Sequence, residues 1–291
     1  MSTQAGARGT SPGILFVVAT PIGNREDLSR RAERILGEVD CIFCEDTRHS
    51  GRLLNELGIA TPRFSLHEHN ERARIDTVLE RLQRGESCAL ISDAGTPLIN
   101  DPGFLLVRAL REAGVRVVPV PGASALVAAL SAAGLPTDRF SYEGFLPAKG
   151  GARRERLQRL ATDPRTLVFY EAPHRLKEML ADAASAFGAQ RKGCVAREIT
   201  KLHEEFRNGS LAELCDWSTS DPNAVRGEIV VMIAGVETRE EAQQFDTDVL
   251  LRVLLEELPA SKAAKAASKL TGGKRQVLYQ RALELSGESD E

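Results

Sequence analysis

Residues 17–24 read VVATPIGN, and the abrupt change from an apolar run to a turn in this stretch decides the fold class. The apolar run at 14–19 predicts a buried first strand, which ends in Thr20-Pro21-Ile22-Gly23-Asn24. Many α/β proteins hold a nucleotide where a buried first strand ends in such a turn. This turn has one glycine, whereas a dinucleotide fingerprint needs three and a Walker A motif needs Gly-Lys-Ser/Thr. We therefore expect neither a standard Rossmann site nor a P-loop.

Further apolar runs follow this first strand and alternate with helical patterns. Runs at 39–44, 87–92 and 115–120 predict buried strands, and the segments between them repeat apolar residues at helical spacing. This alternation predicts a mainly parallel sheet covered by helices on both faces. A second set of apolar runs, at 165–172, 193–198 and 228–235, predicts another α/β region with a mixed sheet.

The order of these patterns predicts the domain organisation. Pro147, Gly150 and Gly151 mark a connection between the two α/β regions. Gly272 and Gly273 mark a turn between two helical patterns near the carboxyl terminus. We expect a disordered tail at 1–12, an N-terminal α/β domain at 13–138, a C-terminal α/β domain at 139–236, and a helical, helix-turn-helix-like module at 237–291.

Composition narrows the class of protein. The 291 residues are 42% apolar and 27% charged with a net charge of −3, which is typical of a globular protein whose nucleic-acid surface, where present, is local. No run approaches the roughly 18 apolar residues of a membrane helix. Five cysteines, an odd number, argue against a disulfide framework and favour a reducing, cytoplasmic location.

Cys41 and Cys44 form a C-x-x-C pair inside an apolar run. Residues three apart on a strand point to opposite faces, so these two thiols are predicted to be core residues that cannot chelate one metal ion. No second C-x-x-C or paired histidine follows. We expect no metal site.

Four loops at predicted strand ends indicate a ligand site: ATPIGNRED, EDTRHSG (45–51), SDAGTPLINDPG (92–103) and VPGASA (120–125). In an open α/β sheet the ligand crevice lies outside the carboxyl ends of the strands. Glycine lets backbone approach a ligand closely, and proline fixes the direction of approach. None of the loops carries a lysine to anchor phosphate. This chemistry suits an adenosine-bearing ligand without phosphates, such as S-adenosylmethionine.

The same loops carry a resemblance to the tetrapyrrole-methylase superfamily, a non-Rossmann class of methyltransferases. More closely, FYEAPHR (169–175) and VAREITKLHEEFRNGSL (195–211) resemble the ribosomal RNA small subunit methyltransferase I family. The resemblance runs from about residue 13 to 236 and extends to the helical segment that follows. It implies a two-domain tetrapyrrole-methylase-like fold with the cofactor cleft between the domains. It also implies S-adenosylmethionine-dependent 2′-O-methylation of a cytidine in the decoding region of 16S ribosomal RNA.

The resemblance also assigns cofactor contacts, mostly in the later loops. Those positions are Ala94, Gly95, Thr96, Ile99, Ser124, Ala125 and Glu171, with Pro21 bordering the site. This chain has Asp93-Ala94-Gly95-Thr96 where tetrapyrrole enzymes carry a Gly-Gly-Asp type loop, so contacts there are expected to differ in detail. Superfamily members are commonly homodimers, which implies a dimer.

The implied reaction is an in-line attack of a ribose oxygen on a sulfonium methyl group. It needs alignment, a desolvated cleft and a base for the hydroxyl, but no metal. Polar residues after two strands are the candidates for the base or for orienting the ribose, and the pattern does not choose among them. They are Glu45, Asp46, Arg48, Lys201 and Glu204. Glu45 and Asp46 are equally consistent with a helix cap.

Two basic segments are the candidates for RNA contact. KGGARRERLQR (149–159) offers Arg153, Arg154 and Arg156 on a stretch that its glycines are expected to make mobile. The C-terminal module offers Lys262, Lys265, Lys269, Lys274 and Arg275, with no acidic residue between Leu258 and Leu283. One-sign charge of this length is typical of phosphate binding. The partner is expected to be the small-subunit RNA or the assembled 30S particle.

Two alternatives remain open from the sequence. A tetrapyrrole C-methyltransferase would share the fold, although a small macrocycle needs neither basic segment. A ribosome-associated RNA-binding protein without catalysis would share the basic segments but would not need the cofactor loops.

Overall fold

The structure is a computed structural model that describes residues 13–236 and 247–286. The tail predicted at 1–12 lies outside the described residues. The chain divides into two compact units, Met1–Val236 and Glu237–Glu291. Across the described ranges, no helix combines the length and the apolar character that crossing a bilayer requires.

The first sheet is parallel throughout, with the strand order β3-β2-β4-β1-β5. Its strands are Ile14–Val18 (β1), Cys41–Cys44 (β2), Arg63–Ser65 (β3), Cys88–Ile91 (β4) and Arg116–Val120 (β5). Its chain segment holds five helices: Arg30–Glu38 (α1), Thr47–Glu56 (α2), Glu71–Gln83 (α3), Phe104–Glu112 (α4) and Ala125–Ala132 (α5). The parallel sheet predicted from the alternation of apolar runs is confirmed.

The faces of this sheet carry separate cores, and β2 contributes to both of them. Cys41 and Phe43 pack with residues of α3 and α4, whereas Ile42 and Cys44 pack with residues of α1 and α2. The prediction that Cys41 and Cys44 are core residues on opposite faces is confirmed. Cys41 lies beside Cys88 on the neighbouring strand, with 3.4 Å between the two sulfur atoms, and both cysteines are free.

The second sheet is mixed, as the sequence predicts, with the order β6-β7-β10-β8-β9. Only β6 and β7 run parallel, and the other three pairings are antiparallel. Its strands are Phe140–Phe145 (β6), Thr166–Glu171 (β7), Lys192–Arg197 (β8), Glu205–Ser210 (β9) and Ile229–Ile233 (β10). Its helices are Gly150–Leu160 (α6), Leu176–Phe187 (α7) and Leu211–Ser220 (α8).

Three strands were missed by the pattern analysis, namely β3, β6 and β9. All three lie at sheet edges, where one side of the strand lacks a neighbour. Their residues are mostly half-buried or exposed, so they do not form the continuous apolar runs that mark buried strands. The strands that the apolar runs did predict include every central strand of both sheets.

Helix α5 follows the first sheet in the chain but packs on the second. Leu126, Ala129 and Leu130 share a core with Val168 of β7 and Val230 of β10. At the start of the helix, the Leu126 amide donates a hydrogen bond to the Tyr170 hydroxyl at 3.2 Å. This contact places the loop after β5 beside the end of β7.

The second unit contains three described helices: Thr247–Glu257 (α9), Ala260–Thr271 (α10) and Arg275–Ser286 (α11). Alanines on one side of α10 pack with Leu251 of α9 and Leu278 of α11 to form its core. Gly272 ends α10 in the left-handed conformation with φ +70°, which suits glycine at a helix C-terminus. The predicted helix, turn and helix around Gly272-Gly273 are therefore observed, with α9 packed against them.

Candidate active site

A cavity of about 410 Å³ lies in the first unit, between loops of both sheets. Its volume falls in the range of about 300–1,000 Å³ that is typical of small-molecule sites. Its wall comes from the segments that follow β4 and β5, from the end of β7, and from the start of β10. Seven residues assigned to the cofactor line this cavity: Ala94, Gly95, Thr96, Ile99, Ser124, Ala125 and Glu171.

The turn after β1 holds the loop after β4 in place. The Thr20 amide donates to the Gly95 carbonyl at 2.9 Å, and the Gly95 amide donates back to the Thr20 carbonyl at 3.1 Å. The Thr96 hydroxyl donates to the Ala123 carbonyl at 2.9 Å, which joins this loop to the one after β5. The VVATPIGN turn thus positions the loop that forms the wall. Pro21 lines a second, smaller cavity of about 130 Å³, which shares Asp93 with the first.

Gly95 occupies a position that favours glycine. Its φ is +83°, in the left-handed region. A Cβ atom there would lie 3.1 Å from Cγ2 of Ile22, another residue of the cavity wall. The absence of a side chain therefore lets the backbone itself form part of the wall.

The charge of the wall is one-sided. No lysine or arginine is among the described residues that line the cavity. Four carboxylate residues do line it: Asp93, Asp101, Glu171 and Glu228. The cavity therefore offers no cation to a phosphate group. Its acidic and apolar lining suits a ligand that carries positive charge and an apolar or aromatic part.

Glu171 is the most buried carboxylate of the wall, with 3% of its surface exposed. Its Oε1 accepts a hydrogen bond from the Ala172 amide at 2.8 Å and lies 3.2 Å from Nε of Arg175. Its Oε2 is buried with no hydrogen-bond partner among the described residues. Burial raises the pKa of this carboxyl group. An unpartnered acceptor in a cavity wall is chemically suited to a donor on a ligand.

The candidates for the catalytic base lie outside the larger cavity. Asp46 caps α2, because its Oδ1 accepts hydrogen bonds from the Arg48 and His49 amides. The segment EDTRHSG, expected to be a loop, is thus largely the first turn of a helix. Glu45 is half-buried, and both burial and the nearby Asp93 raise its pKa. Arg48 is exposed on α2.

The other two candidates also have structural partners. Nζ of Lys201 lies 2.9 Å from Oε1 of Glu198 and 3.2 Å from Oε2 of Glu228. Glu204 accepts a hydrogen bond from the Thr200 amide at 2.7 Å. Lys201 therefore does not line the cavity itself but is paired with Glu228, which does.

The basic segment 149–159 is a helix rather than a mobile connection, since α6 begins at Gly150. Arg153 is 3% exposed, and its guanidinium donates to Asp182 and Glu178 of α7. The expectation that Arg153 contacts RNA phosphate is corrected, because its charge is buried and already neutralised. Arg154 is exposed and lies 3.6 Å from Asp182, and Arg156 forms an ion pair with Glu143 of β6.

The basic residues expected to contact RNA in the C-terminal module are all exposed: Lys262, Lys265, Lys269, Lys274 and Arg275. The three lysines recur on one side of α10, away from its buried alanines. Arg281 of α11 is not part of this surface, since it pairs with Asp248 and Glu284.

Sequence reasoning missed several residues of the cavity wall: Asp93, Asn100, Asp101, Tyr170 and Glu228. Three of them lie inside the quoted loop 92–103, and Tyr170 lies inside the quoted FYEA. Their membership of these two segments could have identified them as candidates. Glu228 directly precedes an apolar strand, and nothing in its surroundings in the sequence marked it.

Comparison with known proteins identifies the family. The profile of the Tetrapyrrole (Corrin/Porphyrin) Methylases matches residues 15–215, and that of the RsmI C-terminal HTH domain matches residues 241–286. A Pseudomonas aeruginosa protein named ribosomal RNA small subunit methyltransferase I is 56% identical, over 96% of this chain and 100% of the relative. The Xylella fastidiosa protein of the same name is 53% identical over 93% of this chain and 99% of the relative.

The chain belongs to the ribosomal RNA small subunit methyltransferase I family.

Solved structures place this family within the tetrapyrrole-methylase fold. The methyltransferase CobJ superposes with a TM-score of 0.58 and 20% identity, over 79% of this chain and 96% of CobJ. A Thermus thermophilus uroporphyrin-III C-methyltransferase complexed with S-adenyl homocysteine gives a TM-score of 0.52 and 19% identity, over 76% of this chain and 97% of the other. At these identities the likeness shows the fold alone.

Proposed function

We propose that this methyltransferase moves a methyl group from S-adenosylmethionine to the 2′-hydroxyl of a cytidine in the decoding region of 16S ribosomal RNA. The observation that carries the proposal is the cavity with an acidic wall, in a chain that is 56% identical to a ribosomal RNA small subunit methyltransferase I. The high identity to relatives named for ribosomal RNA favours this substrate over a tetrapyrrole. The built cavity favours an enzyme over a non-catalytic RNA-binding protein.

The residues of the cavity fit the cofactor. S-adenosylmethionine bears a sulfonium and an ammonium group, and it supplies an activated methyl group when bound. The acidic wall and the absence of lysine and arginine among its described residues suit that positive charge. Glu171 offers an unpartnered buried oxygen to a donor on the cofactor. Gly95 lets the backbone approach the adenosine part closely.

The protein's contribution to catalysis is alignment and exclusion of water. Loops from both sheets meet at the cavity, so the cofactor is held between two rigid frameworks. Loss of the sulfonium charge during transfer needs no electrophilic group, and the acidic residues suit the starting cation. A base for the ribose hydroxyl remains necessary, because a hydroxyl is a weak nucleophile at neutral pH.

For the RNA, we propose two contact surfaces with the phosphate backbone. One is formed by Arg154 and Arg156 on α6, of which Arg154 is the more available because its contact with Asp182 is long, at 3.6 Å, whereas Arg156 pairs with Glu143 at 2.5 Å. The other is the exposed basic surface of the module, formed by Lys262, Lys265, Lys269, Lys274 and Arg275. We propose the division into domains at 13–138, 139–236 and 237–291, with the module serving the RNA. We also propose that the protein works in the cytoplasm as a homodimer.

The proposal is tested with S-adenosylmethionine labelled in its methyl group. The full-length protein is incubated separately with naked 16S RNA, with 30S particles from a strain lacking the enzyme, and with uroporphyrinogen III. We expect label in the RNA of at least one ribosomal arm and in a 2′-O-methylcytidine after nuclease digestion. Label in the tetrapyrrole alone, or in no arm despite measurable cofactor binding, would contradict the proposal. Sedimentation of the same preparation tests the dimer.

A further inference from the structure

Asp101 is a carboxylate in the wall of the cavity to which no role has been assigned. It lies near the end of the loop that follows β4, and it shares the wall with Gly95, Thr96 and Glu171. The same wall contains the unpartnered Oε2 of Glu171, which is an independent sign that a ligand belongs there. Asp101 therefore faces the space in which the methyl donor and its acceptor are proposed to meet.

The backbone beside Asp101 is held in a strained conformation. Leu98 has φ +72° and Asn100 has φ +69°, both in the left-handed region that residues with a side chain rarely adopt. Gly103, with φ +125°, ends the loop where a Cβ would lie only 2.8 Å from Cδ2 of Leu90. Strain of this kind persists when surrounding packing fixes it, and it is common where a functional group must be aimed.

The charges around Asp101 suit a proton acceptor. Glu45 at the end of β2 and Asp93 at the end of β4 act on it as like charges, while the nearby Ser92 side chain lowers its pKa and so acts in the opposite direction. From the second sheet, Tyr142 and Tyr170 face the same region, and the charge of Asp101 contributes to the raised pKa of both phenols. Burial and the two carboxylates raise the pKa of Asp101 to about 6. A base with a pKa close to the working pH is effective in proton transfer.

Four other carboxylates are less suited to this role. Asp46 is occupied as a helix cap, and Glu204 is bound to the Thr200 amide outside the cavity. Glu228 is paired with Lys201, and Oε1 of Glu171 is fixed by the Ala172 amide beside Arg175. Asp101 is in the wall and, among the described residues, forms no ion pair.

We propose that Asp101 is the general base of the methyl transfer, an inference that rests on the proposed function. The ribose oxygen forms a bond to the methyl carbon as the bond from that carbon to sulfur breaks. The bonding pair goes to sulfur, which becomes a neutral thioether. The proton of the hydroxyl passes to the carboxylate of Asp101 and then to solvent.

The test is single-turnover transfer with the full-length protein in excess over 30S particles and at saturating S-adenosylmethionine. We expect Asp101→Asn to lower the rate by about 10²–10⁴-fold while the dissociation constant for the cofactor, measured by calorimetry, changes less than tenfold. Asp101→Glu is expected to recover part of the rate. Asp76→Asn, which removes an exposed carboxylate on α3, is the matched control and is expected to act like the original protein.

The pH profile of the unmodified protein gives an independent readout. Its rate is expected to rise tenfold per pH unit below about 6 and to level off above, and Asp101→Asn is expected to lack this inflection. A profile without the inflection, or an Asp101→Asn rate above one tenth of the original, would overturn the role of Asp101. If the unmodified protein transfers no methyl group to the particles at any pH, the proposed function fails instead.

Discussion

Arg153 of α6 and Asp182 of α7 form a largely buried ion pair, in which Nε donates to Oδ2 at 2.7 Å. A second bond from Nη2 to Glu178 completes the link between the two helices. Arg153 and Arg154 are adjacent in the sequence, yet only the second is exposed. A run of arginines that looks uniform in the sequence therefore contains a buried structural member and an exposed one.

Replacing Arg153 with glutamine is expected to destabilise the protein. Asp182 and Glu178 would lose their hydrogen bonds to the guanidinium group, and Asp182 would keep only the Arg154 contact at 3.6 Å, which costs about 1–3 kcal/mol. Chemical denaturation would measure the loss of free energy of unfolding, which should appear as a lower midpoint denaturant concentration with an unchanged dependence of this free energy on denaturant. Arg154→Gln is the matched control, because its side chain is 56% exposed and its loss is expected to change stability by less than about 0.5 kcal/mol. Equal stability of the two variants would contradict the structural role.

Gly95→Val is expected to abolish binding of S-adenosylmethionine. The new side chain would meet Ile22 and stand where the ligand approaches the backbone. Gly58→Val is the matched control, since Gly58 has φ +69° but no atom within 4 Å of its Cβ position. Both variants should lose about 1–2 kcal/mol of stability from backbone strain, but only the first should lose binding in a calorimetric titration. Retained affinity in Gly95→Val would remove this glycine from the site.

Neutralising the three lysines on one side of α10 is expected to weaken RNA binding. Changing Lys262, Lys265 and Lys269 to glutamine should lower the slope of log affinity against log salt concentration by about 2, because fewer counterions are released. Cofactor affinity should not change.

The control for this variant is the change of Arg30, Arg31 and Arg34 to glutamine, which removes the same charge from exposed positions of α1. An equal fall of the salt slope in both triple variants would indicate a general effect of net charge. An unchanged slope in the lysine variant would remove α10 from the RNA surface.

Asp101→Asn is expected to stabilise the protein above pH 6. The pKa of Asp101 is about 6 in the folded protein, above its ordinary value of 3.8. As pH rises from about 3.8 to about 6, the carboxyl group loses its proton in the unfolded chain before it does so in the folded protein. The unmodified protein therefore loses stability over this range and does not regain it at higher pH. The free energy of unfolding of the variant should exceed that of the unmodified protein by nearly zero at pH 4 and by about 2 kcal/mol at pH 7. Denaturation midpoints measured across this range would check it, and a gain independent of pH would contradict it.

The sequence by itself determined the parts of the fold that rest on local pattern. Central strands are buried on both faces, so they form continuous apolar runs, and β1, β2, β4, β7, β8 and β10 were predicted from them. The edge strand β5 was also predicted, because its sequence RVVPV is mostly apolar as well. The opposite orientation of Cys41 and Cys44 followed from the two-residue period of a strand. The loop motifs sufficed to identify the family, because several specific segments occur together in the right order.

The tertiary structure decided what depends on neighbours that are distant in the chain. Edge strands β3, β6 and β9 are specified by a pairing partner rather than by an apolar run. The burial of Arg153 is set by carboxylates 25 and 29 residues away. Asp101 acquires its raised pKa only because folding removes water from around it and, to a smaller extent, brings Glu45 and Asp93 near it from two strand ends. Local pattern specifies which elements form, whereas the charge, exposure and reactivity of a side chain depend on what the fold places beside it.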